Sequence, residues 1–118
     1  MVAEPKNNKS LVYNEGWKVK SISYNLTLYN NGIIEQFSDP TFELIKCQNI
    51  HGETKTNLSL STLENAISCS WSQEILTVTV SDNIVASPND YFCNIVKATV
   101  SAGGYKISTY IPIDILVG

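Results

Sequence analysis

Over residues 75–117 apolar and polar positions alternate with a period of two. Leu76, Val78 and Val80 are separated by Thr77 and Thr79, the pattern of a strand with one face buried and the other wet. After Gly103-Gly104 the alternation resumes. Ile107, Thr109, Ile111, Ile113, Ile115 and Val117 fall on one phase, and Lys106, Ser108, Tyr110, Pro112, Asp114 and Leu116 on the other. This stretch therefore predicts a strand, a corner through Asn89-Asp90, a strand over 91–101 and a Gly-Gly hairpin into a closing strand. Leu76, Val78, Val80, Ile107, Ile111, Ile113 and Ile115 are the predicted core residues.

Upstream, residues 1–10 are polar and read as a flexible lead-in, leaving 11–118 as the folded domain. Trp17 and Val19 share one phase, whereas Ile22, Tyr24, Leu26 and Leu28 share the other. That slip near Lys20-Ser21 predicts a bulge, or a strand passing from one sheet to another. Asn30-Asn31-Gly32 signals a turn, and Ser38-Asp39-Pro40 a second irregular point before a strand over 41–47. His51-Gly52-Glu53 reads as a tight turn. Shorter strands are expected over 54–60 and 66–71, around the polar segment 61–65, and residues 60–67 have room for one helical turn. No window carries the 3.6-residue stripe of a core helix. The expectation is all-β: an antiparallel sandwich of about seven short strands punctuated by Gly, Pro, Asn and Asp.

Length and charge narrow the function classes. A chain of 118 residues is the size of one domain and long enough to bury a core without metal. Its net charge is -3, and its lysines are scattered with no arginine among them. There is no basic stripe for a phosphate backbone and no polybasic membrane patch, so nucleic acid is not expected as a partner. No apolar run is long enough to span a bilayer, and residues 1–10 lack the apolar segment of a signal peptide. Membrane insertion is not expected; either the chain is not exported by that route or it is a piece of something larger. The abundance of Asn, Ile, Ser and Thr fits β-structure rich in turns, and also an AT-rich genome.

Candidate chemistry is sparse. Cys69, Cys93 and the lone His51 offer no zinc-ligand spacing, and the acids are dispersed, so neither metal nor cofactor is expected. His51 lies in a turn with no nucleophile motif beside it, and no catalysis is assigned. The corner of Asp82, Asn89 and Asp90 offers oxygens to Ca²⁺, but such corners more often satisfy their own backbone. The sequons at Asn25 and Asn57 are read as chance matches in a chain rich in Asn and Ser. Tyr13, Trp17, Trp71, Tyr105 and Tyr110 have the ring faces for sugar stacking, with core and cross-strand packing the favoured alternative.

Tyr91-Phe92-Cys93, preceded by Asp90, resembles the tyrosine corner and second cysteine of immunoglobulin domains. Taken whole, residues 18–117 resemble the immunoglobulin-like modules of bacterial surface proteins and of phage tail or head-fibre proteins. In those modules a Gly-containing hairpin leads to a closing strand like Ser108-Thr109-Tyr110-Ile111-Pro112-Ile113-Asp114-Ile115. The resemblance implies an immunoglobulin-like sandwich with no catalytic residue, serving as spacer, assembly contact or adhesive unit on a virion or bacterial cell surface. The implied partners are a protein or glycan surface ligand, or neighbouring domains of a larger assembly. A carbohydrate-binding module and a eukaryotic-type receptor domain are the alternatives.

Immunoglobulin strand order would bring the turn over 48–53 and the hairpin loop over 101–105 to one end. His51, Glu53, Gly103, Gly104 and Tyr105 are therefore the predicted contact residues. The same resemblance makes Cys47 and Cys93 a candidate inter-sheet disulfide. Cys93 alternates with Tyr91 and Ile95 and is expected to face the core, whereas Phe42 and Leu44 point opposite to Cys47. Three unbridged, mostly buried thiols are the favoured reading.

Overall fold

The computed structural model describes residues 1–56, 63, 66–81 and 83–118. Among them the alternating stretches form eleven strands and no helix: β1 (Val2–Pro5), β2 (Ser10–Tyr13), β3 (Trp17–Val19), β4 (Ser21–Asn30), β5 (Ile33–Glu35), β6 (Ser38–Gln48), β7 (Ile67–Ser72), β8 (Ile75–Val80), β9 (Phe92–Ala102), β10 (Tyr105–Pro112) and β11 (Asp114–Val117). Six of these have six residues or more, and the total exceeds the expected count of about seven. Short pieces raise it, including β1 inside the segment read as a flexible lead-in: Val2 to Pro5 pair with Thr27 to Tyr24. Ala3 sits opposite Leu26 and packs against the core, an apolar contact that anchors the segment to the sheet.

One sheet runs β1-β4-β8-β7 with β5 hydrogen-bonded to β4, a second runs β10-β9-β6, and a third runs β11-β2-β3. The phase slip at Lys20-Ser21 marks a change of sheet. Trp17 and Val19 pair with β2, whereas Ser21 onward pairs with β8. All pairings are antiparallel except β11 with β2, which is parallel. The chain reaches β11 by a break at Ile113, whose N–H donates to the Asn94 carbonyl at 2.7 Å.

The core lies between the first two sheets. Ile22, Tyr24, Leu26, Leu76, Val78 and Val80 meet Phe92, Val96, Ala98 and Ile111 in one buried cluster that also takes in Leu11, Ile113 and Ile115. Phe42 of β6 contacts Trp71 of β7, ring centroids 5.9 Å apart, so side chains from the two sheets touch. The shortest molecular dimension, 21 Å, suits two sheets packed about 10 Å apart with their outer side chains. The arrangement is sandwich-like. Of the predicted core residues only Ile107 is half-exposed, because it lies near the hairpin end of β10.

Three two-residue hairpins join neighbouring strands: Asn31-Gly32, Gln73-Glu74 and Gly103-Gly104. Both residues of each have positive φ, the backbone whose twist matches that of the flanking strands. Thr54 makes a single bridge to Gln48. Residues 55–56 continue no strand, while residues 57–60 of the strand expected over 54–60, and most of the helical turn expected over 60–67, lie outside the described residues.

The phase of β9 is the reverse of that expected around the cysteine. Phe92, Val96, Ala98 and Val100 are buried, which puts Cys93, Ile95 and Lys97 on the outer face. Cys47 lies directly opposite Cys93 on the neighbouring strand of the same sheet, not across the core. None of the three cysteines is in a disulfide.

Candidate functional site

At one end of the sheets, the segment between β4 and β6 and the β7–β8 turn surround a hollow of about 340 Å³. Local backbone chemistry shapes it. Asn31-Gly32 folds β5 back onto β4, and Asp39, at φ 51°, sits at the register shift between Ser38 and Thr41 where β6 leaves for the other sheet. Gln73-Glu74, both left-handed, bring Glu74 to the rim. The floor carries Leu26, Leu28, Phe37 and Trp71, the last two with ring centroids 5.9 Å apart.

The rim is acidic and planar-polar. Glu35, Gln36, Asp39 and Glu74 line the hollow, and among the described residues no basic side chain does. Glu35 Oε1 accepts from Asn30 Nδ2 at 3.3 Å, which ties the β4–β5 hairpin. Beside it Ile33 and Ile34 are 72% and 65% exposed, an apolar lip on the edge strand β5. An aromatic floor beneath carboxylate and amide groups can stack a sugar ring and bond its hydroxyls, or hold an organic cation over the rings.

The predicted contact residues do not assemble as one group. Gln48 pairs with Phe92 at the start of β9, whereas Ser38 pairs with Ser101 near its end. The turn carrying His51 and Glu53 is thus separated from Gly103, Gly104 and Tyr105 by about 30 Å of strand. The expectation placed Cys47 on a strand that ends beside the hairpin. In fact Cys47 is on β6, which ends beside the beginning of β9. Gly103, Gly104 and the exposed Tyr105 lie at the same end of that sheet as the hollow, whose lining includes Ser38.

At the far end Asn49, 7% exposed, organises the turn. Its Oδ1 accepts from the N–H groups of His51 at 3.1 Å and Glu53 at 3.0 Å, while its Nδ2 donates to Glu53 Oε1 at 2.9 Å. Glu53 is thereby engaged in holding the loop. A smaller cavity of about 180 Å³ lies beside it, lined by Asn49, Asn94 and Asp114 among others. Asn94 Oδ1 is buried without a protein partner.

The aromatic residues do not form one platform. Trp17 Nε1 donates to the Ile84 carbonyl at 2.9 Å and its ring meets Tyr13 edge-on at 5.2 Å, so both are structural. Tyr110 is 59% exposed on the outer face of β10 with Lys97 Nζ 6.0 Å from its ring centroid, and Tyr105 sits at the hairpin. Trp71 alone of the five lines the hollow. At the β8–β9 corner Asp90 Oδ2 accepts from the Ser87 N–H at 2.7 Å, serving its own turn; Asp82 lies outside the described residues. Asn25 is exposed in the middle of β4, and Asn57 lies outside the described residues. No group of three or more His, Cys, Asp or Glu among the described residues is placed to hold a metal ion.

Phe37, Glu35 and Asp39 are not among the contact residues that the sequence predicts. Their signal is the odd segment between Gly32 and Thr41, where apolar Ile33, Ile34 and Phe37 stand outside any long alternating strand. Comparison with protein-family models, with curated proteins and with solved structures finds no match to this chain.

Proposed function

We propose that the chain is a non-enzymatic immunoglobulin-like module of a phage virion or bacterial surface protein, acting as a spacer, assembly or attachment unit. The strand order carries this reading. One sheet, β1-β4-β8-β7, faces another, β10-β9-β6, and the chain closes with β11 parallel to β2. On this reading the two sheets are those of an immunoglobulin constant-type domain, with β4, β6, β8 and β9 taken as strands B, C, E and F. The loops at one end then form a contact surface on a rigid scaffold. The hollow, the apolar lip at Ile33-Ile34 and the Gly103-Gly104 hairpin lie there. Immunogold microscopy with antibody to this chain, on its source cells and on phage particles released from them, tests the assignment. Label on particles or the cell envelope is expected; label confined to the cell interior overturns it.

A second reading, a carbohydrate-binding module, rests on one observation, the Trp71–Phe37 floor under planar polar side chains. Its test is a tryptophan fluorescence titration with oligosaccharides. Saturable quenching that is lost in Trp71→Ala supports it, and no response across a broad glycan panel removes it.

A further inference from the structure

We propose that Cys47 and Cys93 form an oxidisable dithiol, which a low-molecular-weight disulfide such as glutathione disulfide converts into a cross-strand bridge between β6 and β9. The two residues are direct partners in the antiparallel ladder. Direct partners share a face, with Cβ atoms about 4.5–5.5 Å apart, close to the separation a disulfide spans. The face is the outer one, because Phe92 and Val96 flank this part of β9 on the core side. Both cysteines are half-buried and unbridged, within reach of a small reagent at the surface.

The ladder is irregular at this point. Lys46 pairs with Ile95 and Cys47 with Cys93, which leaves Asn94 without a partner on β6. Its carbonyl accepts from Ile113 instead, at 2.7 Å. Such irregularities bend a strand locally and re-aim side chains, giving the backbone freedom to bring the two sulfurs into bonding geometry. Cys69 is differently placed. It stands opposite Val78 on β7, packs against the core cluster, and burial pushes its thiol up. It has no cysteine opposite.

The exchange balances. One protein thiolate attacks glutathione disulfide, forming a mixed disulfide and releasing one glutathione thiolate. The second protein thiolate attacks the protein sulfur of that intermediate and expels the other glutathione. The protein loses two protons and two electrons, and the reagent leaves as two glutathione molecules. The bridge would close the loop carrying β7, β8 and the β8–β9 corner, and would clamp the β6 edge to the sheet.

The test incubates the full native chain with glutathione disulfide, then counts thiols after unfolding without reductant and maps the cross-linked peptides. The expected result is a fall from three thiols to one, a Cys47–Cys93 peptide, and the same loss of two thiols in Cys69→Ser. In Cys93→Ser the reaction stops at one glutathione on Cys47. The bridged form should melt higher by about 10 °C. Three thiols remaining, glutathione held on both residues without closure, or a bridge through Cys69 would each overturn the proposal.

Discussion

Val78 has no exposed surface and stands between Ile22 on β4 and Cys69 on β7, whereas Thr79 faces the opposite way between Ser21 and Ser68. Val78→Ala removes buried carbon from a packed layer and should cost about 1–3 kcal/mol, while Thr79→Ala should stay within about 0.5 kcal/mol. Urea midpoints for the two variants check this; equal midpoints would mean that the face is wrongly assigned. Tyr24 is 4% exposed. Burial, and behind it the charges of Asp114 and Cys69, push its hydroxyl up to about 12. The unfolded chain gives up that proton near pH 10 and the folded chain only near 12. The raised value favours the fold fully below pH 10, and this advantage is lost as pH rises from 10 towards 12. Unfolding measured across that window should show a steeper alkaline loss for the native sequence than for Tyr24→Phe. Matching slopes would contradict the burial of this hydroxyl.

At the scale of elements, legibility follows whether one side chain settles the backbone. Asn31-Gly32 and Gly103-Gly104 could be read as turns because these residues tolerate positive φ. Gln73-Glu74 adopts the same geometry at φ 51° and 66° but carries no such signal, since tight pairing of Ser72 with Ile75 imposes it. Gln73→Asn with Glu74→Gly should therefore stabilise the hairpin, by about 1 kcal/mol. A thermal midpoint unchanged or lowered by the pair would show that Gln73 and Glu74 serve the turn better than its preferred residues. The phase of β9 is ambiguous in the sequence for a related reason. Tyr91, Cys93 and Ile95 are as apolar as Phe92 and Val96, so alternation alone did not choose the face around Cys93. The smaller Ala98 and Val100 further along do choose it, being buried opposite Thr99 and Ser101.

For the molecule as a whole, local patterns gave the strands but not their neighbours. The slip at Lys20-Ser21 signals a bulge or a change of sheet, and the structure has the change of sheet there. Which strand carries Cys47, and so which loops share an end, depended on non-local pairing that no residue between Asn30 and Gln48 declares. The hollow depends on it too: Trp71 comes from one sheet, Ser38 and Pro40 from the other, and only the strand order joins them. That order is the claim on which the functional reading stands. Nuclear Overhauser contacts between protons on paired strands test it most directly. The structure predicts contacts between Ile22 and Val78, between Phe42 and Ala98, and, in a parallel pair, between Leu11 and Ile115. Contacts placing β6 beside β4 in a single meander, with none between Phe42 and Ala98, would contradict it.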